Sequence, residues 1–150
     1  MTRQHASVES KASQYAGKDA AILYNIALFY LEAGRLDDAI SAGQRTLAVE
    51  KSYEVRNLLG RAYSAKKDWP NAIAEYEQAR RLSPYSEQAI FDLSQAHMMA
   101  QDFPGAIAVL EAGRKVHDKS PQLELAFGVA YYGQRRFADA VDRFLRVMQL

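Results

Sequence analysis

Cysteine is absent from this chain of 150 residues, which excludes disulfide bonds and every site that depends on a thiolate. A cysteine-free sequence suits a reducing or an oxidising compartment equally well. Residues 1–19 also lack the continuous apolar stretch that forms the core of a secretory signal. The compartment therefore stays unknown: the sequence fits a soluble protein that is cytoplasmic, or one that is exported if a signal has been removed.

Long hydrophobic runs and an excess of one charge are missing as well. Charged residues interrupt every apolar stretch well before the roughly 20 residues that a membrane-spanning helix needs. The 19 basic and 18 acidic side chains are interspersed and leave a net charge of +1, which gives no long-range field to attract nucleic acid or an anionic membrane. The sequence thus predicts no membrane span, no nucleic acid, and a protein or peptide segment as the partner.

One pattern recurs along the chain and dominates what the sequence does contain. Its clearest marker is an alanine that is followed each time by a branched aliphatic residue, and an aromatic ring and a small residue recur upstream. The alanines, which are almost evenly spaced, are Ala39, Ala72, Ala106 and Ala140. The rings are Tyr30, Tyr63, His97 and Tyr131, and the small residues are Ala27, Gly60, Ser94 and Gly128.

These columns resemble the tetratricopeptide repeat family, whose pattern is W-x2-L-G-x2-Y, then A-x3-F, then P, with a period of about 34 residues. The second repeat matches it most fully, through Leu59, Gly60, Tyr63, Ala72, Tyr76, Ala79 and Pro84. The opening tryptophan is replaced in turn by Leu23, Arg56, Ile90 and Glu124. The resemblance implies an all-α protein, an α-solenoid or right-handed superhelix of four helix-turn-helix pairs, at residues 20–52, 53–86, 87–120 and 121–150.

Hydrophobic spacing supports helix pairs without reference to the family. Apolar residues recur at helical spacing over residues 22–32 and again over residues 36–49. Small residues in the recurring columns would let two helices cross closely. Pro70, Pro104 and Pro121 each fall just inside a predicted helix start, where the missing N–H has no helical partner to lose.

Residues that could carry catalysis are few. The three histidines, His5, His97 and His117, lie far apart in the chain and match no metal-ligand spacing, and no glycine-rich phosphate-binding pattern occurs. Because His97 stands in a column that is otherwise filled by tyrosine, we interpret it as a packed or hydrogen-bonded imidazole and not as a metal ligand with Met98. We predict no catalytic residues, no metal and no cofactor, and hence a protein that is not an enzyme.

Residues 1–19 form a separate N-terminal segment. Ala6, Ser10 and Ser13 repeat the spacing of the small residues that begin at Ala39, one period further along the chain. The segment is therefore either half a repeat, whose single extra helix would cap the array, or a polar tail in which small residues coincide by chance.

The concave surface of the solenoid is the expected binding site. In the resembling family, one face of each first helix lines this surface, which holds an extended peptide or a helix of a partner. Counting by helical turns places twelve side chains there: Tyr24, Leu28, Leu31, Asn57, Arg61, Ser64, Phe91, Gln95, Met98, Leu125, Val129 and Tyr132. Most are apolar, which is typical of a contact surface, although any single ring could instead pack between neighbouring first helices.

This surface does not resemble the groove of tetratricopeptide domains that hold the acidic C-terminus of a chaperone. In those domains Lys, Asn and Arg side chains clamp carboxylates. Here Arg61 is the only strong cation on a surface that otherwise offers Tyr24, Asn25, Leu28, Leu58, Gln88 and Asp92. A hydrophobic or mixed ligand is predicted.

The combined prediction is a non-catalytic scaffold for protein–protein interaction. Two alternatives stay open: a self-associating structural module, and a regulatory arm of a larger protein whose enzyme domain lies outside these residues. A homo-oligomer would form through the C-terminal helix, because Phe144, Val147 and Leu150 fill the columns that elsewhere meet the next repeat. We expect further chain or another copy to cover that face.

Overall fold

Eight α-helices make up the part of the chain that the computed structural model describes, which is the backbone of residues 16–150 and the side chains of residues 19–150. No strand occurs within these residues. The helices are α1 (Ala16–Glu32), α2 (Leu36–Val49), α3 (Tyr53–Ala65), α4 (Trp69–Leu82), α5 (Glu87–Met99), α6 (Phe103–Arg114), α7 (Pro121–Gly133) and α8 (Phe137–Gln149).

The helices pack as four consecutive pairs, α1 with α2, α3 with α4, α5 with α6 and α7 with α8. Each second helix also contacts the first helix of the next pair, and α1 touches α3 as α5 touches α7. Contacts thus join elements that are close in the chain, as they do in a solenoid. The prediction of an all-α solenoid built from four helix pairs is confirmed.

Polar side chains begin most of the helices. Ser52, Ser86 and Ser120 cap α3, α5 and α7 by accepting a hydrogen bond from the backbone N–H three residues later. Asp68 and Asp102 do the same for α4 and α6. Each cap satisfies an N–H group that has no partner inside the helix. The first turns of α4, α6 and α7 contain the predicted prolines, Pro70, Pro104 and Pro121.

Small residues allow the paired helices to cross closely. The four alanines of the recurring column are buried. Gly60 lies against the ring of Tyr76, and Gly128 lies against the ring of Phe144, so closely that an added Cβ would overlap the ring. The prediction that these columns serve helix crossings is therefore confirmed.

Phe144 does not lie where the sequence analysis placed it. We expected it, with Val147 and Leu150, on the face that meets a following repeat, but its ring packs within its own helix pair and joins the main hydrophobic core. The reason is that the column shared by Gly43 and Phe144 makes different contacts in different helix pairs. In the first pair it holds Gly43, which makes room for Leu59 of the next pair, whereas an aromatic ring fills the same space from its own pair.

α1 begins at Ala16, before the predicted start of the array at residue 20. The rest of the predicted N-terminal segment, with Ala6, Ser10 and Ser13, lies outside the described residues. The half-repeat hypothesis and the proposed repeat boundaries stay predictions.

One residue in each turn between paired helices has a left-handed backbone conformation. Gly34 has a φ of 74°, while Lys67, Gln101 and Arg135 have φ values of 59°, 61° and 61°. The four residues share one column of the repeat, with the same spacing as the recurring alanines. This conformation costs an L-residue roughly 1–2 kcal/mol, which glycine avoids. Three of the four turns therefore carry backbone strain.

Replacing Gln101 with glycine is expected to stabilise the protein. The change relieves the strain at a φ of 61°. Glycine also gains entropy in the unfolded chain, which offsets part of the benefit, so the free energy of unfolding should rise by about 0.5 kcal/mol in urea denaturation. Ala100→Gly is the control, because Ala100 has a φ of −76° and should lose stability on becoming glycine. A loss at both positions would show that the left-handed residue carries no strain.

Candidate partner-binding groove

The twelve side chains predicted for the groove come from the same three positions of α1, α3, α5 and α7. All twelve are exposed or half-buried, and none of them is buried. Since equivalent positions of stacked helices share a face, we expect the twelve to line one side of the array. Their role in binding remains a prediction, and their chemistry changes from α1 to α7.

The predicted side chains of α1 serve mainly to pack the helices. Tyr24, Leu28 and Leu31 are partly buried against a cluster that includes Leu58 of α3. Packing between neighbouring first helices, which the sequence analysis left open, thus describes these three residues. Leu58 itself is buried, which corrects its expected place on the groove surface. It is buried because it packs with the small residues Ala27 of α1 and Ala42 of α2.

A carboxylate held by two amides lies between α3 and α5. Asn57 Nδ2 donates to Asp92 Oδ2 at 2.9 Å, and Gln88 Nε2 donates to Asp92 Oδ1 at 2.7 Å. Because both donors are neutral amides, they orient the carboxylate without neutralising its charge. Arg61 lies one helical turn after Asn57 and is exposed. This part of the predicted groove is therefore polar.

A cleft of about 210 Å³ opens beside this carboxylate. It includes two of the predicted side chains, Ser64 and Gln95. The full lining is Ser64, Trp69, Tyr76, Asp92, Gln95, Ala96 and Met99. Burial raises the pKa of Tyr76 despite a hydrogen bond between its side chain and that of Ser64, so the phenol stays protonated at neutral pH.

Exposed apolar side chains form a stripe on α7. Leu125, Val129 and Tyr132 follow one another at intervals of four and three residues, which places them on one helix face. They are 51%, 46% and 63% exposed. On α5, by contrast, Phe91 and Met98 are partly buried against the main core. The α7 stripe thus presents apolar area that the described fold does not bury.

Two models of the tetratricopeptide repeat match the sequence, one over residues 10–52 and the other over residues 63–126. The chain belongs to the tetratricopeptide repeat family. Together the two matches cover more than two thirds of its length and include parts of all four helix pairs. No curated protein matches the chain by sequence.

Solved structures of MamA share the tetratricopeptide solenoid seen here. One crystal structure of MamA superposes with a TM-score of 0.80 at 19% identity, over 94% of this chain and 82% of that one. A crystal structure of MamA protein gives 0.79 at 20% identity, over 93% and 77% of the two chains. MamA 41-end from Desulfovibrio magneticus RS-1 gives 0.77 at 18% identity, over 89% and 76%. At this level of identity the likeness establishes the fold alone.

Where the tetratricopeptide pattern has its opening tryptophan, two repeats of this chain carry an ion pair that the sequence analysis missed. Arg56 Nη1 lies 2.8 Å from Glu75 Oε2 in the second pair of helices. In the fourth pair the charges are reversed, and Arg143 Nη1 lies 3.0 Å from Glu124 Oε2. Both ion pairs have the same separation along the chain and fill the same two columns. Opposite charges at this fixed separation are the signal that could have found them.

His97 fills the tyrosine column of the family as a hydrogen-bonded side chain, as predicted. Its Nδ1 lies 2.8 Å from Asp102 Oδ2, while Asp102 Oδ1 accepts the N–H of Gly105 at 3.0 Å. The bond from Gly105, followed by the bond to His97, lowers the pKa of Asp102. The imidazole therefore supports the cap of α6.

Two kinds of feature do not occur in the described part of the chain. Among residues 19–150, no group of His, Asp and Glu side chains could hold a metal ion. Between Ala16 and the last residue, no helix has the length and apolar character needed to cross a membrane.

Proposed function

We propose that this solenoid is a non-catalytic scaffold whose groove binds an amphipathic segment of a partner protein, either as a peptide or as a helix. The observation that carries the proposal is the exposed stripe of Leu125, Val129 and Tyr132 on α7. Contiguous apolar surface of this kind on a protein usually marks a contact site. The family supports the same reading, because tetratricopeptide arrays use extended concave surfaces for binding.

The polar part of the groove defines the rest of the partner. Asp92 is oriented by Asn57 and Gln88, and both of these donors are uncharged amides. A basic side chain or a backbone N–H of the partner would pair with it, while Arg61 offers donors to a carbonyl or a carboxylate. A partner segment would fit both parts of the groove if it had an apolar face to pack on the α7 stripe. At one end it would need a basic side chain or a free backbone N–H group to pair with Asp92. Apolar contacts with a few placed polar groups are typical of peptide recognition.

Replacing Leu125 and Val129 with glutamine is expected to weaken binding roughly 30-fold or more. The probe is a peptide selected on the wild-type protein from a displayed library, and calorimetric titration measures its affinity. The loss of apolar anchors costs on the order of 2 kcal/mol, and about 1.4 kcal/mol corresponds to a tenfold change. Glutamine is chosen because it retains good helix propensity.

The double variant of Leu82→Gln and Val116→Gln is the matched control. Leu82 and Leu125 are 49% and 51% exposed, and Val116 and Val129 are both 46% exposed. Leu82 ends α4 and Val116 lies in the turn after α6, so both are outside the predicted groove. We expect the control to bind like the wild type. If it loses binding while the α7 variant keeps it, with both folded by circular dichroism, the groove is not the site.

A further inference from the structure

α1 exposes a face that is buried in every later first helix. Ile22, Ile26 and Phe29 share this face and are 57%, 41% and 66% exposed. The nine residues at equivalent positions of α3, α5 and α7 are buried, and each of these helices packs on a preceding second helix. The nine are Val55, Leu59, Ala62, Ala89, Leu93, Ala96, Leu123, Phe127 and Ala130. α1 therefore leaves open the surface that a second helix covers elsewhere.

α8 exposes an apolar stripe at the other end of the solenoid. Phe137, Val141, Leu145 and Met148 follow at intervals of four, four and three residues, which places them on one helix face. Each of them is at least 49% exposed. The ring of Tyr132 touches only one end of this stripe, with its centroid 5.4 Å from that of Phe137. The stripe is thus open along most of α8.

The equivalent residues of α6 show how such a face is used. Phe103, which is equivalent to Phe137, lies with its ring directly against Gly133 at the end of α7. Ile107, which is equivalent to Val141, is buried. The open stripe of α8 therefore includes the surface with which a second helix meets the following first helix.

α8 is also more apolar on this face than the internal second helices. Leu145 and Met148 stand at positions that mostly carry polar residues in α2, α4 and α6. The residues equivalent to Leu145 are Gln44, Glu77 and Glu111, and those equivalent to Met148 are Leu47, Arg80 and Arg114. The apolar stripe of α8 therefore extends further than the internal junctions require.

We propose that copies of this chain associate head to tail, with α8 of one copy docked on α1 of the next in the way that α6 docks on α7. A second copy supplies both missing surfaces, a second-helix face for α1 and a first-helix face for α8. A hollow of about 560 Å³ beside Ile26 and Phe29 gives the side chains of α8 space to enter. Residues 1–15 offer less apolar area, because Met1, Val8 and Tyr15 are their only apolar side chains larger than alanine.

Head-to-tail contact joins two different surfaces, so an open chain of copies always has one of each surface free at its ends. Such an interface continues to add copies as the concentration rises, instead of stopping at a dimer. Because the junction repeats the internal one, the grooves of neighbouring copies would continue into each other. This assembly does not require the groove to bind a partner, and the two proposals can fail separately.

The wild-type chain is therefore expected to grow in mean mass with concentration. Light scattering coupled to size exclusion, from low micromolar to millimolar protein, should show the weight-average mass more than doubling. Two variants block one end each: Val141→Glu with Met148→Glu on α8, and Ile26→Glu with Phe29→Glu on α1. Each variant alone should be monomeric. An equimolar mixture should form a dimer of one copy of each, because only one open α8 face and one open α1 face remain.

The controls separate this assembly from its alternatives. The Leu82→Glu and Val116→Glu double variant, with matched charge away from both faces, should assemble like the wild type, as should the groove variant Leu125→Gln with Val129→Gln. Circular dichroism checks that each variant is folded, and serine replaces glutamate wherever it is not. A wild type that stays monomeric overturns the proposal. If the variant that is blocked at α1 dimerises by itself, α8 pairs with α8 and the proposal is wrong. If the equimolar mixture forms no dimer, the proposal is also wrong.

Discussion

Ala106→Glu is expected to melt the central helix pairs of the protein. Ala106 is fully buried in the main core. Glutamate is too large for the crossing, which costs about 1–3 kcal/mol, and it brings a charge without a partner, which costs several kcal/mol more. A loss of about 5 kcal/mol or more is comparable with the whole free energy of unfolding of a typical domain. A thermal melt followed by far-ultraviolet circular dichroism should show helix loss or a greatly lowered midpoint.

Ala108→Glu is the matched control for this change, on the same helix and with the same new side chain. Ala108 is exposed, so the free energy of unfolding should change by no more than about 0.5 kcal/mol. Ala72→Glu and Ala74→Glu form a second pair of this kind on α4, with Ala72 buried and Ala74 exposed. Midpoints that agree within each pair would mean that the alanine column does not face the core.

Repeat spacing was enough to predict the helix pairs, because each recurring column records a contact that the fold makes again. Gly60 and Tyr76 illustrate this, since the missing Cβ of one is the space that the ring of the other occupies. Pro104 likewise appears in the first turn of α6, where the chain needs no N–H. Such local requirements depend on the residue and its helix, so they can be read from one sequence.

The same spacing could not show which neighbour a given side chain meets. Phe144 and Gly43 share a column, yet the ring packs within its pair and the glycine admits Leu59 from the next. Asp92 was also underestimated, because it lies one position beside the predicted groove columns and is oriented by Asn57 from another helix pair. These contacts depend on the size of the side chains and on the rotation between successive helix pairs. The repeat spacing of the sequence indicates neither of them.

Glu124→Gln is expected to lower the free energy of unfolding by about 3 kcal/mol, because it removes one partner of a buried ion pair. Glu124 is buried, with Arg143 Nη1 at 3.0 Å from Oε2 and Arg114 Nε at 3.4 Å from Oε1. The guanidinium of Arg143 also lies over the ring of Phe127, 4.4 Å from its centroid, which holds it in the interior. Glutamine keeps the size of the side chain and loses its charge. Urea denaturation at neutral pH measures the effect.

The second helix pair suggests how the stability lost at Glu124 can be restored by exchanging the two charges. Arg56 and Glu75 occupy the same two columns as Glu124 and Arg143, with the charges exchanged. Glu124→Arg alone and Arg143→Glu alone should each destabilise the protein at least as much as Glu124→Gln. The double variant should recover part of the loss, because Arg114 and Arg146, which lie 3.4 Å and 3.8 Å from Glu124, would repel the new arginine. The double-mutant cycle should still show a coupling free energy of about 2 kcal/mol. Losses that simply add would show that the two side chains do not interact.

The third helix pair supplies an apolar version of the same contact. Ile90 and Val109 stand in these two columns and are buried. Glu124→Ile with Arg143→Val should therefore be as stable as the wild type or more stable, since a packed apolar pair avoids the cost of desolvating two charges. Arg114 is partly exposed and can turn to solvent once the carboxylate is gone. If the apolar double variant is instead as unstable as Glu124→Gln, the fourth pair depends on its charges in a way that the third does not, and the contacts are not interchangeable.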